Sequence, residues 1–360
     1  MNENNFLSEP AFVSIIMPVR NEAEYIERSL SSVFAQTYPH RLMEVIVADG
    51  LSTDGTKDRV ELLAGRTDIP LTIIDNPGQT APTALNLAIA ASRGSVIVRV
   101  DGHCEVAADY VAKCVELLRS NGCEGVGGPI ETVAESPQAA AIAVAMSSKF
   151  GVGGSAFRTV HDKELEVDTV AFPGYRRELF DRIGGFDEEL VRNQDDEFNY
   201  RLRKHGGRLI LSPSVKSRYY SRSNFASLWR QYFQYGYWKV RVLQLHPAQM
   251  SLRQFVPFAF VVSVTGLAIL SIVWPVLLWL LAALFGLYLA GNLTASILSY
   301  GRVGVRSLPR LSVSFAILHF SYGFGFFFGL IAFRDRWMDK GKQMVIRPLS
   351  EVWAEKAHYK

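Results

Sequence analysis

The sequence predicts an α/β domain built on a mostly parallel sheet, followed by membrane-embedded helices. Three observations carry that expectation. Short β-branched runs alternate with helix-like stretches through the first hundred residues, and a polar or acidic group follows each run. Residues 255–300 then give 46 consecutive positions without Asp, Glu, Lys or Arg. Near-continuous apolar strands joined by helices describe a parallel sheet covered on both faces. In such sheets a ligand lies beyond the carboxyl ends of the strands.

In chain order, VSIIMPV at 13–19 reads as the first strand, and residues 22–36 place Tyr25, Ile26, Leu30, Val33 and Phe34 at helical spacing. EVIVA at 44–48, LTIID at 71–75 and SVIVRV at 95–100 read as further strands, with helices over 54–64 and 81–92 between them. The groups following these strands are Asn21-Glu22, Asp49, Asp75 and Asp101. Four such placements mark a site. Beyond residue 105 the pattern loosens. Gly125–Pro129 and Gly151–Gly154 read as glycine-rich turns, 172–187 as a short helix between two breaks, and 195–205 as a compact helix stopped by Gly206-Gly207.

The uncharged run 255–300 is broken at Trp274-Pro275 and suits two membrane-spanning helices of about 20 residues each. A third candidate is 311–333, where Gly325 and Gly329 offer a close-packing face. The loop 301–310 carries Arg302, Arg306 and Arg310 and belongs on the cytosolic side. The tail 334–360 holds seven basic and four acidic residues and has the same preference. With both inside, 311–333 must re-enter the bilayer or lie in its interface.

Charge is divided along the chain. Residues 1–197 hold 31 of the 35 acidic residues and 17 basic ones, a net −14, whereas 198–253 carry eleven Lys or Arg and no acid. The stretch 218–241 interleaves Arg218, Arg222, Arg230, Lys239 and Arg241 with aromatic residues, the pattern of an amphipathic interfacial helix. Nucleic acid is excluded as a partner because membrane-spanning candidates follow at once. Cys104, Cys114 and Cys123 have no metal-like spacing, and their odd number argues against a disulfide framework. The N-terminus MNENNFLSEP lacks the basic and apolar regions of a cleaved leader. The expected parts are an α/β domain over 1–215, the interfacial stretch 216–254, two or three spanning helices over 255–333, and a basic tail 334–360.

The segments VSIIMPVRNEAEYI, VIVADGLSTDGT, DGH at 101–103, FPGYRRELFDRIGGFDE, NQDDEFNYRLRKHG and QYGYW, in this order and spacing, resemble the family 2 glycosyltransferases over roughly residues 12–240. The resemblance implies the GT-A fold and an inverting transfer from a nucleotide sugar. With the membrane segment, it is closest to transferases of the succinoglycan type that build exopolysaccharides on lipid carriers. It places Pro18, Glu22, Asp49, Asp75 and Asp101 at the nucleotide sugar, with Asp49 accepting from the base. Where the family has Asp-x-Asp, this chain has Asp101-Gly102-His103, so Asp101 and His103 become the ligands of a divalent cation. Imidazole favours Mn²⁺ over Mg²⁺, and Gly102 would let the backbone approach phosphate.

The general base falls on Asp195, with Asp196 as the fallback, and Gln194 stands where the family has a leading acid. Gln234 and Trp238 match the acceptor motif Gln-x-x-Arg-Trp, with Tyr237 in place of its arginine. The implied partners are a UDP-sugar donor, a lipid-linked saccharide acceptor, the plasma membrane and a glycan-synthesis complex, with the catalytic domain in the cytosol. Two rivals exist. A non-catalytic nucleotide- or saccharide-binding subunit would account for the altered triplet. A transporter would suit the tail but leaves the strand-end acids unexplained.

Overall fold

The structure, a computed structural model, describes residues 10–160, 162–220 and 224–339. The chain divides into two units. One comprises the described residues up to Glu131 together with Ala156–Tyr219, and the other Thr132–Ser155 together with residues 220–339. The expected basic tail beyond residue 339, the N-terminal residues up to 9 and Arg222 lie outside the described residues.

In the first unit the strands are β1 (Val13–Val19), β2 (Met43–Asp49), β3 (Leu71–Asp75), β4 (Val96–Arg99), β5 (Cys104–Val106), β6 (Gly125–Gly128), β7 (Ile130–Val133), β8 (Leu165–Glu166), β9 (Ala171–Arg176), β10 (Leu209–Leu211) and β11 (Ser217–Tyr220). Eight of those described form one sheet in the order β3-β2-β1-β4-β9-β6-β10-β8, and β5-β11-β7 form a second. β1 to β4 are parallel. β9 runs against both β4 and β6, which makes the sheet mixed. The chain steps outward from β1 to β2 and β3, then returns to place β4 on the other side of β1. This reversal opens a crevice at the carboxyl ends of β1 and β4.

The helices are α1 (Ile26–Phe34), α2 (Thr56–Ala64), α3 (Ala81–Ala91), α4 (Tyr110–Ser120), α5 (Pro137–Met146), α6 (Lys149–Val152), α7 (Ala156–Thr159), α8 (Glu178–Ile183) and α9 (Gln194–Lys204). Alternation along β1 sets the two faces. Val13, Ile15 and Met17 pack against Ile26, Leu30 and Val33 of α1 and Val111 and Leu118 of α4. Ile16 points the other way, toward Leu85, Ala88 and Ile89 of α3. Each such buried aliphatic side chain contributes roughly 1.5–3 kcal/mol of transfer free energy. All three cysteines are free and buried.

Gly125–Gly128, expected as a turn, is the strand β6. A side chain on Gly125 would stand 2.5 Å from Leu209, and one on Gly128 would stand 1.5 Å from the Val215 carbonyl. Glycine here serves close packing between strands, which a sequence scan reads as a turn. Residues 172–187 likewise begin in a strand, β9, before α8.

The second unit holds α5 and α6 and adds α10 (Phe225–Leu245), α11 (Val256–Leu270), α12 (Leu277–Ser299) and α13 (Leu308–Ala332). The break between α11 and α12 falls around Trp274-Pro275, as the sequence predicts. Among the described residues, three helical segments are long and apolar enough to cross a membrane: Leu252–Leu270, Leu277–Arg302 and Val305–Ala332. Leu278, Trp279, Leu287 and Leu298 are more than half exposed. A continuous apolar surface of this extent is not tolerated in water, so the segment associates with a membrane. α13 is unbroken over its 25 residues, about 37 Å at 1.5 Å per residue. It does not re-enter as a hairpin.

The paired glycines of α13 serve α10. A side chain on Gly325 would stand 2.0 Å from the Phe233 carbonyl oxygen, and one on Gly329 would stand 2.6 Å from that of Tyr237. This packing takes two of the basic residues of 218–241 inward. Lys239 and Arg241 are buried, with Arg241 3.5 Å from Asp339. Of the described basic residues in that stretch, Arg218 and Arg230 stay exposed. Polar groups tie the apolar helices together: His319 Nε2–H donates to the Phe150 carbonyl at 2.8 Å, and the buried Asn292 Nδ2 donates to that of Ser312 at 3.1 Å. Such bonds hold helices together where water is absent.

Candidate active site

The strand ends predicted from sequence come together at the crevice. Parallel register sets Val19 beside Asp49 and Asp49 beside Asp75. Pro18 lies one residue inside β1, next to Ala48. The loops after β1 and β2 are cross-linked into one platform. Asn21 N–H donates to Ser52 Oγ at 2.9 Å, Thr53 N–H to Asn21 Oδ1 at 2.9 Å, and Glu22 N–H to Thr56 Oγ1 at 2.8 Å.

Asp49 is 2% exposed and accepts from Ser52 N–H at 3.0 Å and Ser52 Oγ–H at 2.5 Å, closing a local turn. Its two oxygens keep lone pairs beyond these bonds, since a carboxylate offers about four acceptor positions. Asp54 takes a structural role, accepting locally from the Thr56 N–H and hydroxyl and across the loops from the Ala23 N–H. Burial works to raise its pKa, but these bonds outweigh it and hold the carboxyl below its ordinary value. Asp75 pairs with Lys57 at 2.7 Å, with both side chains well exposed.

The centre of the crevice is organised by a residue that the motifs did not single out. Arg99 is 8% exposed. Its Nε and Nη2 donate to the two oxygens of Asp101 at 2.7 and 3.0 Å, and its Nη1 donates to Asp195 Oδ1. Burial opposes its charge, but the two carboxylates outweigh burial and raise its pKa. The signal was present in SVIVRVD: strand alternation puts Arg99 on the same face as Asp101, and an arginine in an apolar strand needs a partner there.

Beside it, His103 Nδ1–H donates to Glu22 Oε1 at 2.9 Å, and the ring packs edge-on to Tyr219 at 5.2 Å. A carboxylate on one ring nitrogen fixes the tautomer and frees the other nitrogen's lone pair, the arrangement in which histidine ligates metals. A side chain on Gly102 would meet Glu22 Cγ at 3.0 Å and Val19 Cγ1 at 3.2 Å, so its smallness admits Glu22 to the histidine.

Asp195 and Asp196 lie in the first turn of α9, where the helix dipole favours acids. Asp195 keeps 39% of its side-chain surface exposed. Burial, reinforced by the Asp101 and Asp196 charges, outweighs Arg99 and raises its carboxyl above the ordinary value. Gln194 is buried and donates to Asp195 Oδ2 at 3.4 Å. The helix is anchored one turn on, where Glu197, fully buried, pairs with Arg201 at 2.6 Å. Arg201 also donates to the carbonyls of Ile183 and Gly185. Asn86 pins the same loop by bonding both the N–H and the C=O of Phe186.

Backbone strain gathers at this rim. Among the described residues, Asn21, Leu51, Gln79, Phe172 and Asn193 have positive φ, between 45° and 65°. The first three follow β1, β2 and β3, and Asn193 precedes α9. Non-glycine residues held this way cost about 1–3 kcal/mol each and cluster at functional sites. Gln234 and Trp238 belong to the second unit, on α10, where Trp238 packs against Phe333 with ring centroids 5.5 Å apart.

Among the described residues no group of three or more His, Cys, Asp or Glu gathers to hold a metal. Asp101 and His103 offer two donors of the right kind, with Glu22 behind the imidazole. This fits a cation that takes its other ligands from a bound diphosphate and water.

Comparison with known proteins agrees with this architecture. The model of glycosyl transferase family 2 matches residues 14–184. The succinoglycan biosynthesis protein ExoA of Rhizobium meliloti is 32% identical over 335 residues, covering 89% of this chain and 96% of that protein. A dolichyl N-acetyl-α-D-glucosaminyl phosphate 3-β-D-2,3-diacetamido-2,3-dideoxy-β-D-glucuronosyltransferase of Methanococcus voltae is 28% identical, covering 74% of this chain and 86% of its own. A mannosyltransferase of Pyrobaculum calidifontis, solved with GDP-Man and Mn²⁺, shares the fold with a TM-score of 0.55 at 22% identity, covering 87% of this chain and 86% of its own. A relative of such identity, aligned over nearly the whole length of both proteins, settles the matter: the chain belongs to glycosyl transferase family 2, and it is a glycosyltransferase.

Proposed function

We propose that this chain moves a hexose, glucose from UDP-glucose, onto a hydroxyl of a lipid-linked saccharide at the cytosolic face of the plasma membrane, with inversion at the anomeric carbon. One observation carries the reading: Asp195, from α9, and Asp101, from the end of β4, meet on a single guanidinium. A group suited to the acceptor thus stands beside one suited to the donor diphosphate. Asp195 takes the proton of the attacking hydroxyl, and a carboxyl pKa raised by burial makes it a stronger base than a free aspartate. No second carboxylate is assigned as a nucleophile, so a single displacement inverts the centre. Asp196 is the fallback base.

Pro18, Glu22, Asp49 and Asp75 line the nucleoside end, with Asp49 accepting from the base. Asp101 and His103 hold the cation, Mn²⁺ in preference to Mg²⁺. When bound, such a cation neutralises the diphosphate as it leaves. Gln234 and Trp238 are acceptor contacts on the family resemblance. The lipid-linked acceptor is supported by the apolar helices of this chain and by the dolichyl phosphate in the Methanococcus relative's name. A glycan-synthesis complex is supported by the pathway named for the Rhizobium relative.

The test is donor consumption by the purified full chain in lipid vesicles, across UDP-, GDP- and dTDP-sugars, with lipid-extracted saccharides as acceptors. UDP-glucose is expected to be consumed fastest, with label moving into the lipid phase. Label that stays water-soluble with every acceptor would overturn the lipid-linked assignment.

A further inference from the structure

Arg99 has no part in the reaction as written above, yet it is the most committed side chain in the crevice. It is buried, it grips both oxygens of Asp101, and it reaches Asp195, 96 residues further along the chain. A buried guanidinium persists only when paired, and here one cation serves two carboxylates from different elements. Its fork is also set before any ligand arrives. β4 is held between β1 and β9, and α9 is held by Arg201, which donates to the carbonyls of Ile183 and Gly185.

We propose that Arg99 is a positioning residue, an internal cation that joins the donor-side Asp101 to the acceptor-side Asp195 and keeps the empty site a poor metal site until the donor binds. The inference rests on the reading of Asp101 and Asp195 given above. Two consequences follow from charge and geometry. A divalent ion approaching Asp101 without a nucleotide meets a fixed positive charge and a carboxylate whose two oxygens are already hydrogen-bonded. A donor diphosphate brings the negative charge that offsets this repulsion. Asp195, meanwhile, has its direction fixed by a bond to Arg99 that a flexible or neutral side chain would not reproduce.

The experiment uses the full-length protein with Arg99→Gln and Arg99→Lys. Free Mn²⁺ is titrated by electron paramagnetic resonance without nucleotide, and transfer kinetics are measured separately. Removing the guanidinium is expected to tighten nucleotide-free Mn²⁺ binding about tenfold, because a like charge beside the ion is lost. The same change should lower kcat about 100-fold through misplacement of Asp195, with donor KM moving less than about threefold. Arg99→Lys keeps the charge but not the fork, so its Mn²⁺ affinity should stay near the parent's while kcat recovers only in part.

Because the two residues act as a unit, Arg99→Gln/Asp195→Asn should be no slower than Asp195→Asn alone. Unchanged or weaker Mn²⁺ binding in Arg99→Gln overturns the proposal, and so do fully multiplicative losses in the double variant. Should Arg99→Gln fail to fold by circular dichroism, Arg99→Lys decides, and full parental kcat there overturns the positioning role. Failure of the underlying reading looks different. Asp195→Asn with full activity would remove the base assignment, while the Mn²⁺ titration would still report on Arg99.

Discussion

Replacing Asp195 by Asn tests the chemistry with the least disturbance to the structure. The amide is isosteric, and its Oδ1 still accepts from Arg99 Nη1, so the contact between α9 and β4 is weakened but not lost. Arg99 keeps both bonds to Asp101, at 2.7 and 3.0 Å. With 39% of the Asp195 side chain exposed, water compensates part of the missing charge, and the stability loss should be about 1 kcal/mol or less. Catalysis should suffer far more. A positioned base contributes about 10²–10⁴-fold, so kcat should fall about a thousandfold, or about 4 kcal/mol.

The parent enzyme's pH profile supplies a second reading. The base must be ionised to act, and burial raises its carboxyl pKa. Activity should therefore be lost, as pH falls, above the range near 3.9 of a free aspartate, and the residual activity of the variant should lack this limb. Single-turnover kinetics, with UDP binding followed by calorimetry in the presence of Mn²⁺, is the assay. UDP affinity within about twofold of the parent is expected, since a base acts on the acceptor. Full activity, or lost UDP binding, would refute the assignment and move the role to Asp196.

Glu22→Gln should weaken Mn²⁺ binding in the presence of UDP about tenfold, because the imidazole loses the carboxylate that orients it. His103→Asp should shift the preference toward Mg²⁺, and metal-dependent rates that do not change in either variant would remove His103 from the ligand set. Gly325→Leu forces a side chain to within 2.0 Å of the Phe233 carbonyl, and thermal unfolding in detergent should show a loss of about 1–3 kcal/mol. An unchanged midpoint would mean that α10 and α13 do not pack this closely. Asp54→Asn bears on stability against pH. The native carboxyl is held below its ordinary value, so it stabilises the fold above the unfolded pKa, and that contribution is lost as pH falls through the folded one. The variant's denaturation midpoint should therefore vary less between about pH 5 and 2 than the parent's, and parallel profiles would refute this.

The sequence by itself determined the parallel core, because its strands carry their own pattern. β1 to β4 are β-branched runs with acids at their ends, and hydrophobic periodicity needs no tertiary partner to be read. It determined the apolar helices and their break at Trp274-Pro275 for the same reason, since length and absence of charge are local properties. The motif order also placed Glu22, Asp49, Asp75, Asp101 and His103 at neighbouring strand ends.

Tertiary structure alone decided what these side chains touch. That β6 is a strand depends on Leu209 and Val215 packing over glycines that carry no pattern of their own. That Lys239 and Arg241 are buried depends on Gly325 and Gly329, more than eighty residues away, letting α10 approach α13. The guanidinium shared by Asp101 and Asp195 joins a strand to a helix 96 residues on. No local pattern encodes such a contact, because burial and charge pairing are set by the surroundings of a residue and not by its neighbours in the chain.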